Sequence, residues 1–214
     1  SEKNGPLLIH ISTDYVFDGT GHRPYTEESP TGPVSAYGRT KLAGETAIWE
    51  SGCNAIVIRT SWLYSGYGAN FVKTINRLSK ERETLDVVFD QVGTPTYAGD
   101  LAAVICKVMA VWESADEKKR RELCGIYHFS NEGVCSWYDF AKEIINQGGV
   151  VVKGAEEKRC RVIPVTSDKF VTKAVRPAYS VLDKGKIKNT FGVEIRHWME
   201  PLKDESFWKM IIER

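Results

Sequence analysis

The 214 residues contain no G-x-x-G-x-x-G turn, the pattern that seats a dinucleotide pyrophosphate on a helix N-terminus. Gly66-Tyr67-Gly68 is a fragment of such a turn, but it lacks the third glycine, follows a late strand and reads as a loop hinge. The five cysteines, Cys53, Cys106, Cys124, Cys135 and Cys160, are odd in number and have no C-x-x-C spacing. With no signal-peptide pattern at the start, they suit a reducing, cytoplasmic setting. Cys53 and Cys106 lie in or beside apolar runs and are expected to behave as small hydrophobes. His10, His22, His128 and His197 are scattered without ligand spacing, so no metal is expected. Neither sign of charge is in surplus: 29 Lys and Arg against 28 Asp and Glu give a net +1, no electrostatic case for nucleic acid or an anionic membrane. The basic run Glu117 to Glu122 is short, bounded by acids, and reads as a solvated helix end. No apolar run approaches about 18 residues, so no membrane span is expected.

The composition does allow a proper core, at 42% hydrophobic and 27% charged residues. The most informative stretch is Ser35-Ala36-Tyr37-Gly38-Arg39-Thr40-Lys41-Leu42-Ala43-Gly44-Glu45. Ser35 is a good N-cap for a helix through about Glu50, which puts Tyr37 and Lys41 on one face. A cation beside a phenol favours the phenolate, and such a tyrosine can exchange a proton with a carbonyl or alcohol oxygen. Alone the spacing is a weak signal. Here Ser12-Thr13-Asp14 ends the apolar strand before it, and Arg59-Thr60-Ser61-Trp62 ends the strand after it, the layout of a site at the carboxyl edge of a parallel sheet.

In chain order, Pro6 to Ser12 reads as a strand covered on both faces, and Thr13 to Val34 as a long loop anchored by Tyr15, Val16, Phe17 and Tyr25. After the Tyr37 helix come a strand over 54–59, a helix over 70–82 and a strand over 85–89. A turn-rich loop over 90–96 leads into a helix over 98–112. A short strand over 125–130 precedes a helix over 137–146, which Gly148-Gly149 is expected to end. Further strands are expected over 162–165 and 179–182, and further helices over 183–190 and 201–213. The fold class is α/β: residues 1–90 form the carboxy-terminal part of a Rossmann-type parallel sheet, and 91–214 form mainly a smaller mixed lobe, with some segments returning to the sheet.

The order of motifs is more specific than any one of them. Ser12-Thr13-Asp14-Tyr15-Val16-Phe17-Asp18-Gly19, Pro24-Tyr25 and Tyr37-Gly38-x-x-Lys41-Leu42-x-Gly44-Glu45 are followed by Arg59-Thr60-Ser61-Trp62 and Asp90-Gln91-x-Gly93-x-Pro95-Thr96. Gly125-x-Tyr127-His128, Ser136-Trp137-Tyr138-x-Phe140-Ala141 and Arg176-Pro177-x-x-Ser180-x-Leu182 complete the series. This resembles the extended short-chain dehydrogenase/reductases, and within them the dTDP-4-dehydrorhamnose reductases of dTDP-rhamnose biosynthesis. The resemblance implies Tyr37 as acid/base, Lys41 holding the nicotinamide ribose and easing ionisation of Tyr37, and Thr13 positioning the substrate carbonyl. Asp14 and Trp62 would contact a dTDP-sugar, and Arg176 its diphosphate. NADPH or NADH would deliver hydride to C4 of the 4-keto sugar.

The resemblance begins at roughly the family's fifth strand, so the expectation is a chain that lacks the family's amino-terminal third. These residues alone are then expected to bind a dinucleotide weakly and to leave one sheet edge uncovered, with a homodimer among the states that surface would allow. Other readings stand beside these. Thr13-Asp14 forms an ordinary turn in many proteins, Trp62 could be core and Arg176 a surface ion pair, and Trp137 and Tyr138 read as core. A sugar-nucleotide dehydratase or epimerase of the same superfamily is an alternative, although dehydratases carry Glu where this chain has Tyr15. A non-enzymatic regulatory subunit on the same fold is another, as in the regulatory subunit of methionine adenosyltransferase.

Overall fold

Alternation along the first strand decides how the elements stack. The structure, a computed structural model, describes residues 5–148, 160–169 and 176–211 in full, and 149–151 and 212 by their backbone. Strand β1 (Leu8–Thr13) pairs in parallel with β2 (Ala55–Thr60), and β2 with β7 (Gly125–His128), in the order β1-β2-β7. Every residue of β2 is buried, as its unbroken apolar run requires of a central strand. In β1, Ile9 and Ile11 pack on the apolar layer built by helix α3 (Ala98–Ser114) and helix α6 (Gly185–Phe191). His10 and Ser12 point the other way, toward helix α1 (Ala36–Glu50). The expected two-sided apolar strand is therefore apolar on one face only.

Helix α1 buries just Gly38 and Glu45. Polar contacts, set out below, hold it to the sheet where an apolar stripe would ordinarily do so. The side chain of Ser35 caps it, accepting from the Gly38 amide at 3.0 Å.

A second apolar cluster joins helix α2 (Phe71–Glu81), helix α5 (Trp137–Val151), helix α7 (Glu200–Lys203) and helix α8 (Glu205–Ile212). Here β4 (Thr84–Val88) pairs in parallel with β9 (Arg161–Val165). Short ladders tie the rest together: β3 (Leu63–Tyr64) with β6 (Thr96–Tyr97), and β5 (Val92–Gly93) antiparallel to β8 (Cys135–Ser136). Helix α4 (Glu117–Leu123) carries the basic run as an exposed helix with i,i+3 and i,i+4 ion pairs.

Several expectations are corrected. Gly148 does not end α5: a side chain at that position would sit 3.1 Å from Asn76 and 3.2 Å from Trp208, so the glycine serves close helix contact and the helix continues. The segment 179–182 is not a strand. It forms single bridges from Tyr179 to Val92 and from Leu182 to Tyr25, because it changes partner midway. In doing so it stitches the Gly19–Tyr25 loop to Val92, through Tyr179 N to Gly19 O (3.1 Å), Tyr25 N to Val181 O (2.9 Å) and Ser180 N to Val92 O (2.8 Å). The expected helix over 201–213 breaks at Asp204, whose carboxylate accepts from Ser206 N at 2.9 Å; its end at Glu213 lies outside the described residues. Cys53 and Cys106 are exposed, whereas Cys135 and Cys160 are buried. On α3 the buried stripe is Leu101, Val104, Val108 and Trp112, and Cys106 faces away from it.

Candidate active site

Thr13 is the last residue of β1, where the chain leaves the ladder and turns into a 3-10 helix over Asp14–Val16. Its hydroxyl donates to Asp14 Oδ1 at 2.8 Å and accepts from the Tyr15 amide at 3.2 Å. Asp14 is buried, and among the described residues its Oδ2 has no hydrogen-bond partner. Burial pushes the Asp14 carboxyl up to about 7, against the pull of hydrogen bonding from Thr13 and then from Ser180.

Tyr37 stands one residue into α1, 55% exposed, with its ring edge-on to Tyr15 at 5.7 Å. Gly38 explains that proximity. A Cβ there would lie 2.1 Å from the Tyr15 carbonyl oxygen, so only glycine lets the helix start against this turn. Tyr15 is the hub of the arrangement. Burial, and next the Asp14 charge, raise its phenol above the ordinary tyrosine value, while Arg176 opposes and Tyr37 adds to the rise. The neutral phenol thus sits between three of the residues that the sequence picks out.

Lys41 turns toward the strand. Its Nζ donates to Ile11 O at 2.6 Å and lies 3.2 Å from His10 Nε2. Burial first, then the Lys41 charge, hold His10 below the usual imidazole value, so its Nε2 is available as an acceptor. Sequence reasoning set His10 aside. The available signal was its place two residues before Ser12, on the strand face opposite Ile9 and Ile11.

One turn further along the same helix face, Glu45 is 2% exposed and pairs with Arg59 at 2.6 Å, while Arg59 Nε reaches Glu45 Oε1 at 3.0 Å. Ser12 also donates to Glu45 Oε1. Arg59 lies over the Phe17 ring at 5.2 Å. Next to it, burial and then the Arg59 charge drive His128 down to about 3, and His128 stays neutral. This buried pair joins the ends of β1 and β2 to α1, which carries Tyr37 and Lys41.

Trp62 has φ +46°, a left-handed conformation uncommon for a non-glycine residue and worth a functional explanation. Its ring stacks on Trp137 with centroids 3.6 Å apart and planes 8° from parallel. Trp137, expected as core, packs against the core cluster and also lines an open cleft of about 460 Å³ together with Phe71, Arg82, Gln91 and Arg176. Gly93 presses on this wall: a Cβ there would meet Ser180 Oγ at 2.5 Å and Trp62 Cε2 at 2.6 Å. We expect Gly93→Ala to cost about 1–3 kcal/mol by overpacking. It should also change the near-ultraviolet circular dichroism that the stacked tryptophans produce, and an unaltered spectrum would contradict this packing.

The structure thus gathers Thr13, Asp14 and Tyr37 around Tyr15, sets Trp62 on the wall reached through Gly93 and Ser180, and puts Arg176 at the exposed rim of the cleft. Lys41 lies behind Tyr37 against the β1 backbone. Among the described residues no group of three or more His, Cys, Asp or Glu is placed to hold a metal ion, and no helix is long and apolar enough to cross a membrane.

Known proteins resemble this chain in sequence and in fold. The chain is 39% identical over 204 residues to the spore coat polysaccharide biosynthesis protein SpsK of Bacillus subtilis, covering 95% of this chain and 65% of that protein. It is 38% identical over 198 residues to dTDP-4-dehydrorhamnose reductase of Burkholderia thailandensis, covering 92% and 66%. The crystal structure of dTDP-4-dehydrorhamnose reductase from Bacillus anthracis in complex with NADP matches with a TM-score of 0.80 at 39% identity, over 94% of this chain and 64% of that one. The chain spans about two thirds of the length of the curated relatives it matches. A family model described as the RmlD substrate binding domain covers residues 1–210, every motif above included, and the chain belongs to that family.

Proposed function

We propose that this chain carries the catalytic and sugar-nucleotide-binding residues of a dTDP-4-dehydrorhamnose reductase, a cytoplasmic enzyme reducing dTDP-4-dehydro-L-rhamnose to dTDP-L-rhamnose with NADPH or NADH. The observation that carries the reading is that the Tyr15 turn, at the carboxyl edge of a parallel sheet, touches both candidates: its amide donates to the Thr13 hydroxyl and its ring meets the exposed Tyr37. The names of the relatives support the substrate, and the NADP complex of a 39% identical structure supports the cofactor.

The residues present fit the nicotinamide-ribose end of such a cofactor. A lysine ammonium has three donors; those of Lys41 toward Ile11 O and His10 leave one for a ribose hydroxyl. When bound, the reduced nicotinamide supplies the hydride that the protein itself lacks. Thr13 holds the 4-keto oxygen, and Tyr37 donates its proton to the alkoxide that develops there. Lys41, one turn along the helix, then stands near the phenolate left behind. Trp62 and Asp14 contact the sugar and Arg176 the diphosphate, for which a guanidinium is well shaped. In this reading the strand ends within residues 1–90 hold the chemistry, and residues 91–214 chiefly wall the substrate. A homodimer is the oligomeric state we propose.

Tyr15 argues against dehydration. Its phenol, raised further by burial, remains neutral and cannot replace the carboxylate that a dehydratase has at that place. Given the complete protein, the 4-dehydro sugar should consume NADPH and yield the alcohol, while dTDP-glucose is returned unchanged. A 4-keto-6-deoxy product from dTDP-glucose would overturn the reductase reading. NADPH binding without turnover would point to a regulatory subunit.

A further inference from the structure

Asp14 and Thr13 share a proton inventory that does not close for a reacting ketone. A threonine hydroxyl has one hydrogen, and Thr13 spends it on Asp14 Oδ1 at 2.8 Å. The same oxygen already accepts from the Tyr15 amide. With Asp14 ionised, Thr13 has no hydrogen left for a substrate carbonyl oxygen, and the bond it makes to a buried carboxylate is of the strong, charge-assisted kind. With Asp14 protonated the direction reverses. The carboxyl hydrogen on Oδ1 donates to Thr13 Oγ1, and the Thr13 hydrogen is released toward the substrate.

We propose that Asp14 is a positioning residue that acts through Thr13: its protonated carboxyl turns the Thr13 hydroxyl toward the 4-keto oxygen, and its ionisation turns that hydroxyl away. The inference rests on the reductase reading above. The balance is simple. Asp14 takes one proton from solvent before substrate binds and keeps it through the reaction, while the proton that ends on the product alcohol comes from Tyr37.

Three features of the site support this. Asp14 is enclosed, at 3% exposure, and among the described residues its second oxygen has no partner, so the hydrogen bonds it receives offset only part of the cost of a charge there. Its ionisation falls at about 7, where a reversal of this kind changes state within the working range. The groups facing it are few. Thr13 donates to it, the Asp14 and Tyr15 backbone amides and the nearby Ser180 hydroxyl favour its charged form, and Ser180 itself donates to Val92 O (3.5 Å). Tyr15, with Tyr37 and Arg176 beyond it, completes the titratable and charged surroundings. Among the described residues no cation pairs with Asp14 in the way that Arg59 pairs with Glu45.

The test compares kcat/KM at pH 6 and pH 8 in the complete enzyme with Asp14→Asn and Thr13→Val, and follows the labelled Asp14 carboxyl by carbon NMR. In the wild type the rate should fall roughly fivefold or more as pH rises through about 7, the direction set by loss of the carboxyl proton. An asparagine amide can donate to Thr13 at every pH, so Asp14→Asn should flatten that limb. Thr13→Val should also flatten it, at a lower rate, and Thr13→Ser should restore it. In the NMR titration, Thr13→Val should move the Asp14 midpoint upward, since it removes a bond that favours the carboxylate. A limb that survives in Asp14→Asn or Thr13→Val, or an Asp14 midpoint near 4 or unmoved by Thr13→Val, would overturn the proposal. If the wild type has no reductase activity, the functional reading fails, and the NMR titration still decides whether Thr13 and Asp14 are coupled.

Discussion

Tyr37→Phe should lower kcat of the complete enzyme by at least about 100-fold, the low end for loss of a positioned general acid. That corresponds to about 2.7 kcal/mol of transition-state stabilisation at 1.36 kcal/mol per tenfold. The fold should be untouched, because Tyr37 is more than half exposed and its T-shaped contact with Tyr15 is one between rings, which phenylalanine keeps. KM should change little, since phenylalanine keeps the ring and loses only the proton donor. Steady-state kinetics with the 4-dehydro sugar nucleotide check this. Turnover within about tenfold of wild type would remove Tyr37 from the acid role.

The second large effect is on stability. Glu45→Ala should destabilise the protein by about 3–5 kcal/mol, the usual cost of leaving one member of a buried ion pair without its partner. That is a large share of the roughly 5–15 kcal/mol that holds a domain folded. The cost is high here because Arg59 stays behind, 2% exposed, with Nη1 already lacking a partner. Phe17 lies beneath its guanidinium, and His128, held neutral, offers it no charge. Glu45 is one of only two residues that helix α1 buries, so the rest of its docking rests on partly exposed contacts such as Lys41 to Ile11 O. Replacing both partners with methionine should recover much of the loss, since the pair itself contributes little net stability. Urea denaturation gives the comparison: the midpoint of Glu45→Ala should fall with an unchanged slope. If the double variant is no more stable than Glu45→Ala, the cost does not come from an orphaned Arg59.

What could be read from the sequence follows the range of the forces involved. The central strand β2 was legible because an unbroken Ala55–Ile58 run has one sensible place. The α1 cap at Ser35 was legible because capping is local. The Glu45–Arg59 pair was not, since both residues are charged in a sequence where most charges are solvated, and only docking of α1 on β2 makes them partners. His10 was passed over for the same reason: its partner Lys41 comes 31 residues later. Gly148 looked like a stop signal, and the neighbouring helices instead use its missing side chain. Cys53 and Cys106 were misjudged because proximity to an apolar run does not say which face a residue occupies. Trp62 was singled out by its position after β2, while its left-handed backbone and its stack on Trp137 depend on contacts across the cleft.

The central claim, that these strand ends and α1 form a ketone-reducing site, is tested most directly by following the hydride. The complete protein would be given reduced nicotinamide cofactor deuterated at the transferable position, together with the dTDP-4-dehydro sugar. The account predicts a product alcohol with one deuterium on sugar C4, formed at a rate that collapses in Tyr37→Phe. Product without the label, label at another sugar carbon, or equal label transfer by Tyr37→Phe would contradict it.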